Sequence, residues 1–160
     1  MKQTSESFRC VTPQRRKHSH VLSINADPAM IFPMLCPVSE IDWCEGWIPD
    51  WVISKSGHAE PGCVFQTPGE PAPSIWYVSK YEPDSFVQMI KVTPEHSVCV
   101  LEISLHLNEN VVTNLQISYE FTAIAEAGNE FLTEFTNDWY LGFMRNWEDE
   151  MNQYLAKTQT

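Results

Sequence analysis

The spacing of apolar and polar positions changes character along the chain, and each change marks an element. Residues 18–25 mix β-branched and apolar side chains and end at a polar turn, which predicts a strand. Ala26-Asp27-Pro28 then reads as a helix start: Asp27 can accept a bond from first-turn amides, and Pro28 suits the first helical position. Met30, Ile31, Met34 and Leu35 follow at helical spacing until Pro37, and a second short helix is expected through Val38, Ile41 and Trp43. From Trp47 onward the period becomes two. Strands are predicted over residues 50–56, 63–67, 74–81, 85–92, 97–107 and 111–124. They are separated by the turn signals Pro61-Gly62, Pro68-Gly69, Pro83-Asp84, Pro94-Glu95 and Asn108-Glu109-Asn110. Short links between consecutive strands mean antiparallel hairpins.

The last two strands alternate most cleanly. Leu101, Ile103, Leu105 and Leu107 share one face, as do Leu115, Ile117, Tyr119 and Phe121, with polar residues between them. That dry face needs a cover. The segment 126–157 supplies it, with Phe131, Phe135, Trp139, Phe143, Trp147, Met151 and Leu155 every fourth residue. Such a stripe drifts about 40° per step around a helix. Two overlapping stripes therefore fit better: Leu132, Phe135, Trp139 and Phe143, then Tyr140, Met144, Trp147, Met151 and Tyr154. Gly142 is the candidate bend between them.

Length and composition narrow the class. A chain of 160 residues fits one domain, with residues 1–17 loosely held and residues 18–157 forming the domain. Phe8 or Val11 is the expected point of contact between the two. The net charge of −11 opposes binding to phosphate backbones. Arg15-Arg16-Lys17, the one basic cluster, reads as a solvated lead into the first strand. Neither nucleic acid nor membrane insertion is expected. Five cysteines in irregular spacing (Cys10, Cys36, Cys44, Cys63 and Cys99) read as free thiols in a reducing compartment. With no signal-peptide core, a cytoplasmic protein is expected, as a monomer or a homodimer.

The order of elements, one strand, two short helices, six antiparallel strands and one long helix, resembles the START-related (SRPBCC, Bet v 1-like) superfamily. Several stretches resemble its polyketide cyclase/dehydrase-like branch. They are Asn25-Ala26-Asp27-Pro28 before Ile31-Phe32, Cys36-Pro37-Val38 with Asp42-Trp43 and Glu45-Gly46-Trp47, Pro61-Gly62-Cys63-Val64-Phe65, Trp76-Tyr77-Val78 with Tyr81-Glu82-Pro83, and Gly128-Asn129. The resemblance spans residues 18–157 and implies an α+β helix-grip fold. In it, a curved antiparallel sheet of about seven strands wraps a long C-terminal helix and leaves a hydrophobic cavity. Members of the superfamily bind lipids, sterols, polyketides, hormones or aromatic compounds, and a minority are cyclases, dehydratases or hydroxylases.

Candidate chemistry is sparse. Trp43, Trp47, Trp51 and Trp76, with Phe135, Trp139 and Phe143, are either core or the wall of a ligand pocket. Phe135 and Trp139 are the foremost candidates to face a ligand. Leu101, Ile103, Ile117 and Tyr119 on the dry face complete the expected lining. His18 and His20 share a strand face but lack metal-site spacing, so no metal is expected and both read as surface residues. Asp42, Glu45, Glu134 and Asp138 are the carboxylates nearest the expected cavity. A carboxylate turned into it would be a proton carrier, although solvent is the ordinary place for each. No nucleophile motif and no Gly-rich phosphate loop occurs, so no catalytic residue is assigned and no cofactor is expected. Three functions follow from this reading: binding of a small hydrophobic or aromatic molecule, a polyketide cyclase- or dehydratase-like enzyme using a buried carboxylate or His as proton carrier, or a cochaperone-like interaction module with a filled core.

Overall fold

A computed structural model describes residues 8–159. Seven strands form one antiparallel sheet: β1 (Arg15–Ile24), β2 (Trp51–Ile53), β3 (Val64–Thr67), β4 (Ser74–Glu82), β5 (Phe86–Thr93), β6 (Ser97–Leu107) and β7 (Thr113–Ala123). Their spatial order is β1-β7-β6-β5-β4-β3-β2, so every neighbour from β2 to β7 is a hairpin partner and only β1 joins from afar. The concave face carries the core. Helix α1 (Pro28–Ile31) starts where expected, with the Asp27 carboxylate accepting from the Met30 amide at 3.1 Å and Pro28 at the first position. It passes into 3₁₀ turns at Phe32–Met34 and Ser39–Asp42.

Three features depart from the sequence reading in ways that bear on the site. The first strand begins at Arg15, so the basic cluster lies inside it; the Arg15 guanidinium donates to Thr122 Oγ1 at 2.7 Å and lies 3.9 Å from Glu120. The expected segment 1–17 thus overlaps the strand, its residues 1–7 lie outside the described residues, and Phe8 and Val11 are exposed. Leu107, at the end of β6, is 54% exposed because the dry face stops short of the hairpin.

The third difference concerns the cover. It is two helices, α2 (Glu126–Glu134) and α3 (Asn137–Thr158), with the break at Phe135-Thr136 rather than at Gly142. The cause is local: the Thr136 hydroxyl accepts from the Trp139 amide at 3.2 Å, a new N-cap with Asp138 in the first turn. The 22-residue α3 buries Tyr140, Met144, Trp147, Met151 and Leu155 against the sheet. Its outer side chains also cover the free edge of β1. Glu148 accepts from the Ser23 amide at 2.8 Å, and Asn152 bonds both the Asn25 amide and the Ser23 carbonyl, at 2.9 and 3.0 Å. An open strand edge is a template for aggregation, and here the helix closes it.

Helix α2 sits tightly on the turn between β5 and β6. A Cβ built on Gly128 would lie 2.0 Å from the His96 carbonyl oxygen, an approach only glycine permits. Gly128→Ala is therefore expected to cost about 1–3 kcal/mol, because backbone must move on one side or the other. Urea unfolding checks this, and a midpoint equal to that of the parent protein would mean that α2 lifts off freely.

Candidate ligand-binding site

Strand pairing decides which side chains face inward. On β4, Ser74, Trp76 and Val78 point to the concave side; on β5, Val87, Met89, Lys91 and Thr93 do. On β6 and β7 the inward sets are Cys99, Leu101, Ile103 and Leu105, and Leu115, Ile117, Tyr119 and Phe121. Between this face and the helices lies an apolar cavity of about 380 Å³. Trp47 and Trp76 wall it on one side, Tyr119 and Phe121 form its floor, and Phe131, Phe135, Trp139, Tyr140, Phe143 and Trp147 come from the helices. A cavity of this size lies within the range that small-molecule sites occupy.

The rings are held by specific contacts. Trp76 stacks on Phe65 at 5.3 Å and 10° and donates its indole N–H to Thr67 Oγ1 at 3.0 Å. Trp47 meets Trp76 edge-on at 6.2 Å and donates to the Pro37 carbonyl at 2.8 Å. Tyr140 is fixed by a 2.5 Å bond from its hydroxyl to the Ile117 carbonyl, and burial pushes its phenol up. Tyr119 touches Tyr140 and Phe143 edge-on at 6.0 and 5.9 Å. Because buried tryptophan and tyrosine polar atoms need partners, these bonds fix the walls before any ligand arrives.

Beside Glu45 at the mouth, two charged side chains that the sequence reading did not single out bear on the apolar lining. Lys91 projects from β5, paired with Trp76 on β4 and Cys99 on β6. Its ammonium lies 5.1 Å from the centre of the Trp76 ring, and desolvation lowers its pKa. Glu40 lies in the second 3₁₀ turn and is only 7% exposed. Its side chain borders a recess of about 20 Å³ that shares Trp47, Trp76, Tyr119 and Trp147 with the main cavity. Among the described residues its carboxyl has no hydrogen-bond or ion-pair partner, and burial raises its pKa to about 8. Tyr119 is pushed well up by burial, with Cys99 and then Glu40 adding to the effect. The Cys44 thiol at the cavity wall rises to about 12, from burial first and the neighbouring Glu40 and Glu150 next.

The expected lining residues divide by position. Trp47, Trp76, Tyr119, Phe135, Trp139 and Phe143 border the cavity, and Leu101 borders only the recess. Ile103 and Ile117 are buried in the sheet core away from it. Trp43 packs against Trp147 at 5.4 Å, its indole N–H bonded to the Met34 carbonyl at 2.9 Å, and Trp51 is 38% exposed on the edge strand β2, away from the cavity lining. Asp42, Glu45, Glu134 and Asp138 are exposed, although Glu45 stands at the cavity mouth. His18 is a half-buried residue rather than a surface one. Its Nε2 bonds the Phe135 carbonyl at 2.8 Å and its ring packs on Phe135 and Tyr140, which fastens the junction of α2 and α3 to β1.

No protein-family model matches the chain, and neither does any curated protein sequence. Solved structures do. Norcoclaurine synthase from Thalictrum flavum superposes with a TM-score of 0.67 at 11% identity, over 98% of this chain and 97% of that one. The same enzyme in complex with dopamine and hydroxybenzaldehyde gives 0.66 at 12% identity over 98% of each chain. A protein of unknown function from Staphylococcus aureus gives 0.67 at 12% identity over 92% and 98%. Identities this low speak for architecture alone. The fold is therefore the helix-grip that the resemblance of the sequence motifs implied.

Proposed function

We propose that the protein binds a small aromatic or hydrophobic molecule between the sheet and the C-terminal helices. The observation that carries this reading is the cavity of about 380 Å³ walled by bonded, pre-positioned rings, which a filled core would lack. Lys91 offers the body of the ligand a hydrogen-bond donor, Glu45 stands at the mouth, and most of the remaining wall offers shape and ring contacts. Two solved neighbours fit this reading, being norcoclaurine synthase with a transition-state analogue and with its named aromatic compounds. Among the described residues no helix is long and apolar enough to cross a membrane, and no cluster of His, Cys, Asp and Glu is placed to hold a metal.

The test is native mass spectrometry of freshly purified protein, followed by thermal unfolding with neutral aromatic probes such as 1-naphthalenemethanol. A bound probe at a hundredfold excess over its Kd is expected to stabilise the fold by about 2.7 kcal/mol. A protein that carries no guest and gains no stability from a broad set of apolar compounds would overturn the proposal.

A second reading is supported by Glu40. A carboxyl with a pKa of about 8 can give or take a proton near neutrality, which suits a cyclase- or dehydratase-like enzyme. Turnover of a bound compound that disappears in Glu40→Gln, with binding retained, would replace the binder with the enzyme.

A further inference from the structure

We propose that the recess beside Glu40 is a subsite for the primary ammonium group of an aromatic amine, whose ring body occupies the main cavity. The inference rests on the binding reading above and names the class of ligand.

A buried carboxyl without a partner costs the fold free energy that a hydrogen bond or counter-charge would recover. Glu40 is such a group: nine-tenths buried, unpartnered among the described residues, and bordering a recess that shares Trp47, Trp76, Tyr119 and Trp147 with the lining of the cavity. The recess lining holds no Lys, Arg or His. It consists of this one acid together with Trp47, Trp76, Tyr119, Trp147 and other apolar side chains. Ring faces are electronegative, so acid and rings together favour a cation and disfavour an anion. Size narrows the choice. About 20 Å³ accepts a head the size of a water molecule, which a primary ammonium matches and a trimethylated one exceeds. The remainder of the ligand must then lie in the larger space, on whose wall the Lys91 ammonium stands. Lys91 repels a second positive charge there and favours a neutral or oxygen-bearing far end, so the amine has one preferred orientation.

Binding has a proton balance. The amine arrives as an ammonium, Glu40 releases its proton to solvent, and the ion pair forms. Cys44 and Tyr119 are the other titratable groups near Glu40, and burial keeps both protonated at pH 7.

The experiment is isothermal titration of the wild-type protein and of Glu40→Gln with 1-naphthylmethylamine and with 1-naphthalenemethanol, which differ in the head group alone. In the wild type the amine is expected to bind at least tenfold more tightly than the alcohol. Titrations at pH 7 in buffers of different ionisation enthalpy should show release of close to one proton. In Glu40→Gln the ratio of the two affinities should fall to about one and proton release should vanish. Alcohol binding without an amine preference in the wild type overturns the subsite and leaves the cavity reading standing. A preference that persists in Glu40→Gln assigns it to the overall charge of −11 and also overturns the subsite. Failure of both compounds overturns subsite and cavity together. The proton-release measurement uses the wild type alone, so the result does not hang on the variant folding.

Discussion

Glu40→Gln is expected to stabilise the protein progressively as pH rises from 4.5 to 9. The folded-state pKa of Glu40 is raised from 4.5 to about 8 by burial. Between those values the folded chain holds a proton that the unfolded chain has released. Stability therefore falls with rising pH over that window, by up to about 4–5 kcal/mol in all. Below pH 4.5 both states are protonated and the penalty is absent. Glutamine keeps the shape but does not titrate, so it carries only a constant cost for a buried amide. Urea unfolding of both proteins at intervals across the window should give stability curves that diverge steadily above pH 5. Parallel curves would show that Glu40 reaches water or a counter-charge in solution, and the subsite would fall with it. A bound amine should reduce the divergence, since the ion pair removes the reason for the penalty.

Why Glu40 escaped the sequence reading is instructive. In the short 3₁₀ turn Ser39–Asp42 the Glu40 side chain is buried, as are its neighbours Pro37 and Trp43, while Ile41 is 50% exposed. The apolar residue is exposed and the acid buried, the reverse of what a hydrophobicity pattern suggests. Lys91 was hidden differently. On β5 the outward set Phe86, Gln88, Ile90 and Val92 is as apolar as the inward set Val87, Met89, Lys91 and Thr93, so alternation could not choose a face. Position in the folded sheet chose it. By contrast, the hairpins were legible because proline, glycine and asparagine marked their turns, and β6 runs over residues 97–107 as the period predicted. The break at Phe135-Thr136 was also legible in principle, since Thr-Asn-Asp is a cap signal, but a continuous aromatic repeat ran across it. Local cues set the elements; long-range packing set which polar side chains ended up indoors.

The two aromatics most strongly expected to face a ligand should behave oppositely when truncated. Phe135 is 2% exposed and packs on His18, Phe121 and Phe131 at 4.7, 5.0 and 5.6 Å, at the joint between α2 and α3. Phe135→Ala is expected to lose about 3–5 kcal/mol of stability, because the rings around it cannot collapse without shifting the joint. Trp139 is 53% exposed and stacks on Phe143 at 5.5 Å beside the cavity. Its truncation removes only about half of an indole's burial and should cost about 1–2 kcal/mol in the free protein, well below the loss at Phe135. A ligand ring lying against that indole would lose a contact of about 1–1.5 kcal/mol, close to tenfold in Kd. Urea unfolding and titration with 1-naphthalenemethanol measure the two effects separately. Trp139→Ala that binds the probe as tightly as the parent would remove this ring from the site. A loss of stability in Trp139→Ala as large as in Phe135→Ala would mean that the indole is a structural part of α3. The gap between the two variants is what distinguishes a cavity with a wall and a mouth from a core with a surface dimple, because only in the former does an exposed ring matter more to a guest than to the fold.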